Sequence, residues 1–396
     1  MAARKTIALC LEYPLALRGG VSVLVETLVE GLAPHFDLVV VSPDSPEELT
    51  ASPAAALLKK HLPWDPTRPS RARAALLAGQ IAAAGVDLAH FHLGGNYGWG
   101  NRFPGQSPIS HLRRHGVPVV SSVHLVVHPL DGYCGPQKPL WFKLALLPLA
   151  WAGKMQTLGH ERREIAVSQH DCGKLRRWYW PLRGRYEQIY HSRLRQATQP
   201  APDGPREKAI LNVGHLAMRK GQQILAAAFA QIAPRHPDWK LWLVGPVVEE
   251  GCAAEIRAIA EAAGISDRVL LPGGRNDAYD WMSRAGIYVQ PSLAEALGLA
   301  LQEAMFRGCP AIGARAGGIP ELIDHGRTGH LVAAGSVAEL AQSLETYIQS
   351  PALRDQFSRA GARSMIDKGM TYEQMLARHV QLYQRVLGLP PITVTP

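Results

Sequence analysis

The chain has 396 residues, of which 47% are hydrophobic and 19% are charged, and its formal net charge is +9. That length predicts two globular domains, since one domain commonly holds about 100–200 residues. The balanced composition excludes a disordered chain and a fibre. The cysteines occur singly and form no CxxC pair, which argues against a zinc site or a disulfide framework and is typical of a reducing cytoplasm.

The apolar segments of the chain are short. The longest of them, Leu140–Ala152, contains Lys143 and Pro148 and is too short to span a bilayer. The apolar run Thr6–Leu11 near the N-terminus is too short for the core of a signal peptide and indicates a buried first strand. We therefore expect a cytoplasmic protein, with a peripheral position at the inner face of the membrane as a further candidate.

The positive charge is unevenly distributed. Residues 201–396 carry equal numbers of basic and acidic side chains, so the whole excess lies in residues 1–200. Basic residues alternate with Trp and Tyr in the segment Arg176–Arg195, RRWYWPLRGRYEQIYHSRLR. Such a surface suits anionic lipid headgroups or a polyanionic acceptor, and a solvated face that aids solubility is the alternative. An anionic membrane contacted through residues 101–195 is thus a candidate partner, whereas no nucleic-acid-reading module is present and no nucleic acid is expected.

Short β-branched runs alternate with Ala- and Leu-rich helical stretches, the pattern of parallel sheets covered on both faces. Strands are predicted, in chain order, at Thr6–Leu11, Asp37–Val41, Leu88–Phe91, Val117–Ser122, Glu164–Val167, Glu187–Tyr190, Ala209–Val213, Lys240–Val244, Val269–Leu271, Ile287–Val289 and Ala311–Ile312. Helices are predicted at Ser22–Leu32, Gly221–Ala233, Ala253–Ala263, Leu299–Arg307 and Tyr372–Leu387.

The organisation predicted from this alternation is α/β, with two Rossmann-like, doubly wound domains that face each other across a cleft. The polar, Pro- and Gly-rich segment Thr198–Lys208 reads as the linker between them. The predicted domains are therefore residues 1–200 and residues 201–370, followed by a C-terminal helical segment in residues 371–396. Ligands of such sheets bind beyond the carboxyl ends of the strands, beside helix N-termini.

The most informative residues lie on strand-to-helix turns, of which Arg18–Ser22 (RGGVS) is the first. Its glycines would let a ligand approach the backbone and the helix N-terminus would attract an anion, although a plain glycine turn with a Ser cap explains it equally well. The second turn, Val213–Gly221 (VGHLAMRKG), carries the potential cations His215, Arg219 and Lys220. These could neutralise a diphosphate leaving group, and an ordinary solvated loop is the alternative.

The third turn, Pro291–Met305 (PSLAEALGLALQEAM), places Glu295 in a loop, Gly298 at a helix start and Glu303 inside the helix. Even on one continuous helix the two carboxylates would be roughly 12 Å apart. A hydrolase acid/base pair needs roughly 5–9.5 Å, so the two glutamates are predicted to bind different parts of one long ligand. The N–H groups of Gly298 and Leu299 would hold phosphate between them. Two glutamates on a solvated helix are the alternative.

This third turn resembles the E-x7-E signature of retaining glycosyltransferases of the GT-B fold, family 4. Matching motifs include VGHLAMRKG, KLWLVG, RVLLPGG and the block from VQPSLAEALG to HGRTGHLV in the second half. EYPLALRGGVSVLVETLVEGL, VDLAHFH and VPVVSSVH match in the first half. The resemblance implies transfer of a hexose from a UDP- or GDP-sugar to a hydroxyl of a glycan or lipid-linked acceptor, in cell-envelope polysaccharide or glycolipid synthesis. It also implies that the C-terminal helix crosses back to the first domain.

The resemblance implies roles for individual residues. His124, Glu295 and Lys220 would be catalytic: His124 would face the reacting sugar, Glu295 would bind the hydroxyls of the donor sugar, and Lys220 would bind the diphosphate. Glu303 would bind the ribose. The remaining donor-binding candidates are Gly20, His215, Arg219, Gly273, Gly274, Arg275, Ala296, Leu297, Gly298 and Leu299, with His92 and His128 as weaker site candidates.

Three positions depart from the family pattern. His215 stands in place of an arginine, so its charge would depend on pH, and Arg219 is a candidate to compensate. Leu297 replaces an aromatic residue, and the segment His191–Leu194 replaces the usual NGVD hinge. These departures bear on donor preference and domain closure rather than on the class of reaction.

The sequence holds no DxD motif, so we expect neither a metal ion nor another cofactor, with cationic side chains and a helix N-terminus in place of the metal. The resemblance leaves two rival functions open. One is a GT-B nucleotide-sugar epimerase that needs no acceptor. The other is a catalytically silent subunit that binds a nucleotide sugar.

Overall fold

A computed structural model of the chain describes residues 4–16, 20–130, 137–195 and 206–391. The chain divides into two compact units, Met1–His191 with Glu373–Pro396, and Ser192–Tyr372. The division falls at His191, before the predicted boundary at residue 200. Residues 198–205 of the predicted linker lie outside the described part of the chain, and Glu207 and Lys208 already belong to a strand.

The first unit is built on a parallel sheet with the strand order β3-β2-β1-β4-β5-β6-β7. Its strands are β1 (Thr6–Leu11), β2 (Asp37–Ser42), β3 (Lys60–Pro63), β4 (Leu88–Leu93), β5 (Val119–Val123), β6 (Arg163–Ala166) and β7 (Tyr186–Gln188). Its helices are α1 (Gly20–Leu32), α2 (Pro46–Leu49), α3 (Arg71–Ala83), α4 (Pro108–Leu112), α5 (Leu140–His160), α6 (Gln169–Trp178) and, from the end of the chain, α14 (Tyr372–Leu387).

The second unit repeats this plan with the strand order β10-β9-β8-β11-β12-β13, again with parallel pairs. Its strands are β8 (Glu207–Val213), β9 (Lys240–Val244), β10 (Val269–Gly273), β11 (Ala285–Gln290), β12 (Ala311–Ala314) and β13 (His330–Val332). Its helices are α7 (Gln222–Ile232), α8 (Glu250–Ala262), α9 (Ala278–Arg284), α10 (Leu299–Phe306), α11 (Ile319–Leu322), α12 (Val337–Gln349) and α13 (Pro351–Asp367).

Both sheets change the direction of strand order beside their first strand, between β1 and β4 and between β8 and β11. The loops that leave the carboxyl ends of such neighbouring strands diverge, and the crevice between them is where ligands of this architecture bind. The predicted pair of doubly wound α/β units is thus confirmed. The strands are apolar on both faces because helices cover both, as the fully buried strands β1 and β11 illustrate.

Helix α14 completes the core of the first unit. The Tyr383 hydroxyl and His90 Nδ1 share a hydrogen bond at 2.6 Å, and the Tyr383 ring packs edge-on against Phe36. Tyr383 and His90 are fully buried. Among the described residues, no helix combines the length and the apolar composition needed to cross a bilayer.

Candidate functional site

Lys220 and Glu295 meet at the switch point of the second unit. Lys220 follows β8, Glu295 follows β11, and Lys220 Nζ donates a hydrogen bond to Glu295 Oε2 at 2.7 Å. Their side chains are 19% and 11% exposed, so water screens the pair only in part. The structure thereby places two of the three predicted catalytic residues in direct contact.

Polar side chains behind Glu295 hold its carboxylate in place. Ser292 Oγ donates to Glu295 Oε2 at 3.2 Å, and Gln290 Nε2 donates to Ser292 Oγ at 2.9 Å. The Tyr288 hydroxyl in turn donates to Gln290 Oε1 at 2.9 Å. Gln290 and Ser292 are buried and were not among the predicted site residues. The sequence signal for these two residues is their polarity: in the segment VQPS they follow an otherwise apolar strand.

Two glycines allow the loops of this site to approach each other. A Cβ atom on Gly221, whose φ is +74°, would lie 2.1 Å from the carbonyl oxygen of Pro291. A Cβ atom on Gly317, whose φ is +54°, would lie 1.5 Å from the carbonyl oxygen of Glu295. Both positions also have left-handed backbone that side chains disfavour. Gly317 follows β12 and was not predicted as a site residue.

Glu295 also lies beside the N-terminus of helix α10. Gly298 is the residue before the helix, with φ +104°, and a Cβ atom on it would lie 3.8 Å from Glu295 Cγ. Because the first N–H groups of a helix have no partner within the helix, this end is suited to bind an anion. Ala296 and Leu297 are buried in the loop and Leu299 begins the helix.

Glu303 occupies the buried side of helix α10. Its Oε1 accepts a hydrogen bond from the Tyr279 hydroxyl at 3.1 Å and forms an ion pair with Arg193 Nη2 at 3.1 Å. Burial raises the pKa of Glu303, and the charge of Arg193 partly offsets this rise. Sequence reasoning missed both Arg193 and Tyr279.

Glu295 and Glu303 act on one shared neighbour, Tyr288. Burial raises the pKa of this phenol well above its usual range, and the charges of Glu303 and Glu295 raise it further.

The cations predicted on the turn after β8 differ in their surroundings. Arg219 Nη1 donates to the carbonyl oxygen of Ala294 at 3.1 Å, which places Arg219 beside the Glu295 loop. Burial lowers the pKa of His215, and the nearby charges of Lys220 and Arg219 lower it further. His215 is therefore neutral at pH 7 and does not supply the charge of an arginine.

The donor-binding candidates Gly273, Gly274 and Arg275 lie at the end of β10. Gly273 ends that strand with φ +76°, and no atom lies within 4 Å of the position that a Cβ atom would take there. Arg275 is exposed and is paired through two hydrogen bonds, at 3.0 and 2.9 Å, with Asp277. Gly274 packs against Pro246.

His124, the third predicted catalytic residue, belongs to a cluster of histidines in the first unit. His92 Nδ1 and His124 Nε2 share a hydrogen bond at 3.0 Å, and their rings stack at 5.3 Å. His90, His191 and His379 continue the cluster, with ring centroids 4.2 Å apart for His90–His92, 5.1 Å for His124–His191 and 5.9 Å for His191–His379. The weaker candidate His92 is thus a direct neighbour of His124.

Burial holds every histidine of this cluster neutral at pH 7. It lowers the pKa of His124 to about 3 and that of His379 to about 4, and it lowers the other three well below their usual range. His128, the other weaker candidate, is exposed and packs edge-on against Trp178 at 5.5 Å instead. The described residues contain no group of three or more His, Cys, Asp or Glu side chains placed to hold a metal ion.

The switch point of the first unit contains a cavity of about 340 Å³. Glu12, which follows β1, lines it and accepts hydrogen bonds from the N–H groups of Gly94 at 2.9 Å and Trp99 at 2.5 Å. Burial raises the pKa of Glu12, while these hydrogen bonds and the charge of Arg102 oppose the rise. Gly20 begins helix α1 on the exposed surface, and Gly19 beside it lies outside the described residues. Sequence reasoning missed Glu12.

The two halves of the chain match two family models. Residues 18–192 match Glycosyltransferase Family 4, and residues 196–364 match Glycosyl transferases group 1. Each half of the chain therefore belongs to a glycosyltransferase family. The two family matches divide the chain at nearly the same place as its two compact units.

Curated relatives of the chain include the D-inositol 3-phosphate glycosyltransferase of Streptomyces avermitilis, 27% identical over 70% of the chain. The lipopolysaccharide core biosynthesis mannosyltransferase LpcC of Rhizobium leguminosarum bv. viciae is 35% identical over 35% of the chain. The chain spans only 61% and 40% of the lengths of these two relatives.

Solved structures share the fold at low sequence identity. Anabaena HepE, in complex with UDP-glucose, has a TM-score of 0.74 and 17% identity, and the match covers 96% of this chain and 99% of HepE. WaaG, a glycosyltransferase involved in lipopolysaccharide biosynthesis, has a TM-score of 0.70 and 17% identity over 96% of this chain and 100% of WaaG. Both matches extend over the two units and agree with the GT-B assignment.

Proposed function

We propose that the protein is a retaining glycosyltransferase that moves a hexose from a UDP- or GDP-sugar to a hydroxyl of a glycan or lipid-linked acceptor. The proposal places the protein in cell-envelope polysaccharide or glycolipid synthesis. The observation that carries it is the contact of Lys220 and Glu295 at the switch point of the second unit, 2.7 Å apart. That HepE is described in complex with UDP-glucose, and LpcC as a mannosyltransferase, supports the donor class.

In the proposed donor site, positive and negative side chains bind different parts of the donor. The ammonium of Lys220 would turn from Glu295 to the diphosphate and stabilise it as a leaving group, with help from the N-terminus of α10. The Glu295 carboxylate, still held by Ser292, would then accept hydrogen bonds from the sugar hydroxyls. Glu303 would bind the ribose. Because Lys220 and Arg219 supply positive charge at the site, we propose a metal-independent transfer.

The retaining step is proposed as a front-face substitution. The bond between the anomeric carbon and the diphosphate oxygen breaks, and the acceptor oxygen bonds to the same face of that carbon. The acceptor proton passes to the leaving diphosphate. His124 is proposed to contact the reacting sugar as a neutral hydrogen-bonding group, because its pKa of about 3 excludes an imidazolium at pH 7. The Glu12 cavity is proposed as part of the acceptor site.

A thermal-shift screen with UDP-, GDP- and ADP-sugars tests the donor, because a ligand that binds only the folded state raises its melting temperature. We expect one nucleotide sugar to stabilise the protein selectively. Lys220→Ala should weaken that donor by at least about tenfold, since one charge-assisted contact is worth roughly 1.5–3 kcal/mol. Lys240→Ala, an exposed lysine at the start of β9, is the matched control and should bind the donor as the wild type does.

Analysis of the reaction products distinguishes the proposed transferase from an epimerase and from a catalytically silent subunit. Incubation of the selected donor with envelope glycolipid should release the nucleoside diphosphate and form an α-linked product from an α-linked donor. A new nucleotide sugar formed from the donor alone would instead identify an epimerase. Donor binding without release of nucleotide, with every acceptor offered, would identify a silent subunit, a rival that the neutral His215 favours.

A further inference from the structure

Helix α5 carries an apolar outer face. Leu140 and Trp141 are 62% and 70% exposed, and Leu144 and Leu149 are 51% and 40% exposed. The residues of this outer face are Leu140, Trp141, Leu144, Ala145, Pro148, Leu149, Trp151 and Ala152, all of them exposed. Their spacing of three and four residues aligns them along one side of the helix. No charged residue interrupts this face, which is unusual for a helix surface that meets water.

The inner side of α5 is firmly attached to its unit. Lys154 Nζ donates to Glu164 Oε2 of β6 at 2.5 Å, and both side chains are fully buried. A Cβ atom on Gly153 would lie 2.6 Å from the carbonyl oxygen of Asn101, so the helix backbone packs closely on that loop. The outer face is therefore presented by a fixed helix.

The exposed charges on the segment that carries the outer face have one sign. Within the described residues 137–185, the acidic side chains Glu161, Glu164 and Asp171 are at most 2% exposed. Every exposed charged side chain in that range is basic: Lys138, Arg162, Arg176, Arg177 and Arg183. A surface of this kind attracts an anionic partner and repels a second copy of itself.

A third exposed tryptophan, Trp180, lies beside the helix. Trp151 Nε1 donates to the carbonyl oxygen of Trp178 at 3.2 Å, and Trp180, two residues further on, is 69% exposed. Tryptophan rings favour the boundary between lipid headgroups and acyl chains, because one part of the ring is apolar and its N–H needs a polar partner.

We propose that the outer face of helix α5 docks on a lipid bilayer that contains anionic headgroups. The helix lies along the surface, Trp141 and Leu144 insert at the acyl boundary, and the surrounding basic residues bind lipid phosphates. The docking itself is independent of the proposed function. Its consequence, that the transferase meets a lipid-linked acceptor at the membrane, rests on that function.

Flotation of the full chain with vesicles tests the docking in the absence of any donor or acceptor, so its result is separate from the test of transfer. We expect at least about tenfold more protein to float with vesicles of phosphatidylcholine and phosphatidylglycerol than with phosphatidylcholine alone, and the excess to fall at high salt. Equal recovery from the two kinds of vesicle would overturn the proposal.

Paired variants test the outer face itself. Trp141→Ser with Leu144→Ser should reduce flotation at least about tenfold, because two inserted side chains are lost. Leu76→Ser with Val248→Ser, at residues 58% and 61% exposed elsewhere, is the matched control and should float as the wild type does. Arg177→Gln with Arg183→Gln should reduce flotation about fivefold per charge.

Unchanged flotation of the Trp141/Leu144 variant would refute the role of this face. Conversion of a dimer to a monomer by that variant, without an effect on flotation, would also refute it and would assign the face to contact between copies. Melting curves of each variant show whether it is folded before its flotation is compared with that of the wild type.

Discussion

Gly317 is the residue that most directly permits the position of Glu295. With φ +54°, and the carbonyl oxygen of Glu295 only 1.5 Å from the position of a Cβ atom, it leaves no space for a methyl group. Gly317→Ala should lower the free energy of unfolding by about 2–4 kcal/mol, the sum of left-handed strain and overpacking. Guanidinium unfolding followed by circular dichroism measures this change.

Gly264→Ala provides the matched control for this prediction. Gly264 has a similar φ of +65°, but no atom lies within 4 Å of its Cβ position. The control should therefore lose only the strain, about 1–2 kcal/mol. Equal losses in the two variants would show that the Glu295 backbone does not press on Gly317.

Sequence reasoning reached Lys220 and Glu295 because each lies on a turn that follows a predicted strand. Parallel strands deliver their carboxyl ends to the same edge, so proximity of the two residues follows from the order of strands. The need for glycine at 317 could not be predicted in this way, because it arises from a carbonyl oxygen in a different loop. Gln290 and Ser292 were missed because their role depends on the direction in which Glu295 points.

Glu303 of helix α10 contacts two other parts of the second unit. These are Tyr279 of helix α9 and Arg193, which lies close to the unit boundary and also donates to the Tyr279 hydroxyl. Arg193→Gln should destabilise the protein by about 3 kcal/mol, because it leaves a buried carboxylate without its ion-pair partner. Addition of Glu303→Gln should recover a large part of that loss, since the uncompensated charge is then removed. Denaturant unfolding of the two single variants and the double variant gives the coupling.

Arg275→Gln is the control for this ion pair. Arg275 and Asp277 also form an ion pair, at 2.9 Å, but their side chains are 46% and 38% exposed. We expect a loss below about 1 kcal/mol, because water screens exposed pairs. A comparable loss in the Arg193 and Arg275 variants would contradict the importance of burial at Glu303.

Most elements could be predicted from hydrophobic runs, and β1 and β9 begin and end at the predicted residues. β3 and β13 were missed for a physical reason. Lys60–Pro63 is a short strand at the edge of its sheet whose side chains are partly exposed, so it carries no apolar run. His330–Val332 is also a short edge strand, and three residues are too few to show a period.

At the scale of the whole molecule, the histidine cluster sets the response of the first unit to acid. The folded state keeps His124 and His379 neutral down to pKa values of about 3 and 4, whereas the unfolded chain binds protons near pH 6.5. The unfolded state therefore holds more protons between these limits. The stability that the neutral histidines contribute is fully present above about pH 6.5 and should be lost as the pH falls towards 4.

His379→Phe removes one titrating group from the cluster, so its unfolding free energy should fall less steeply between pH 7 and pH 5 than that of the wild type. His115→Phe, at an exposed position in the same unit, should leave the slope unchanged. Guanidinium unfolding at a series of pH values measures both slopes. Parallel slopes for wild type and His379→Phe would show that this histidine does not titrate differently on folding.

The two-unit architecture could be predicted because the strand–helix alternation occurs twice, whereas the position of the boundary could not. The segment His191–Leu194 contains no glycine or proline. The linker was therefore predicted from composition at the later Pro-rich residues. The histidine cluster was missed as a whole because its members come from β4, the loop after β5, the unit boundary and α14.

The return of helix α14 to the first unit bears on the order of folding during synthesis, in which N-terminal domains usually fold first. Residues 192–372 form one continuous stretch and can fold as soon as they have left the ribosome. The core of the first unit is complete only once α14 has been made, because Tyr383 and His379 pack in it. The first unit is therefore completed after residues 192–372 have been made, and until α14 follows, the Tyr383 hydroxyl is not in place to share its hydrogen bond with His90.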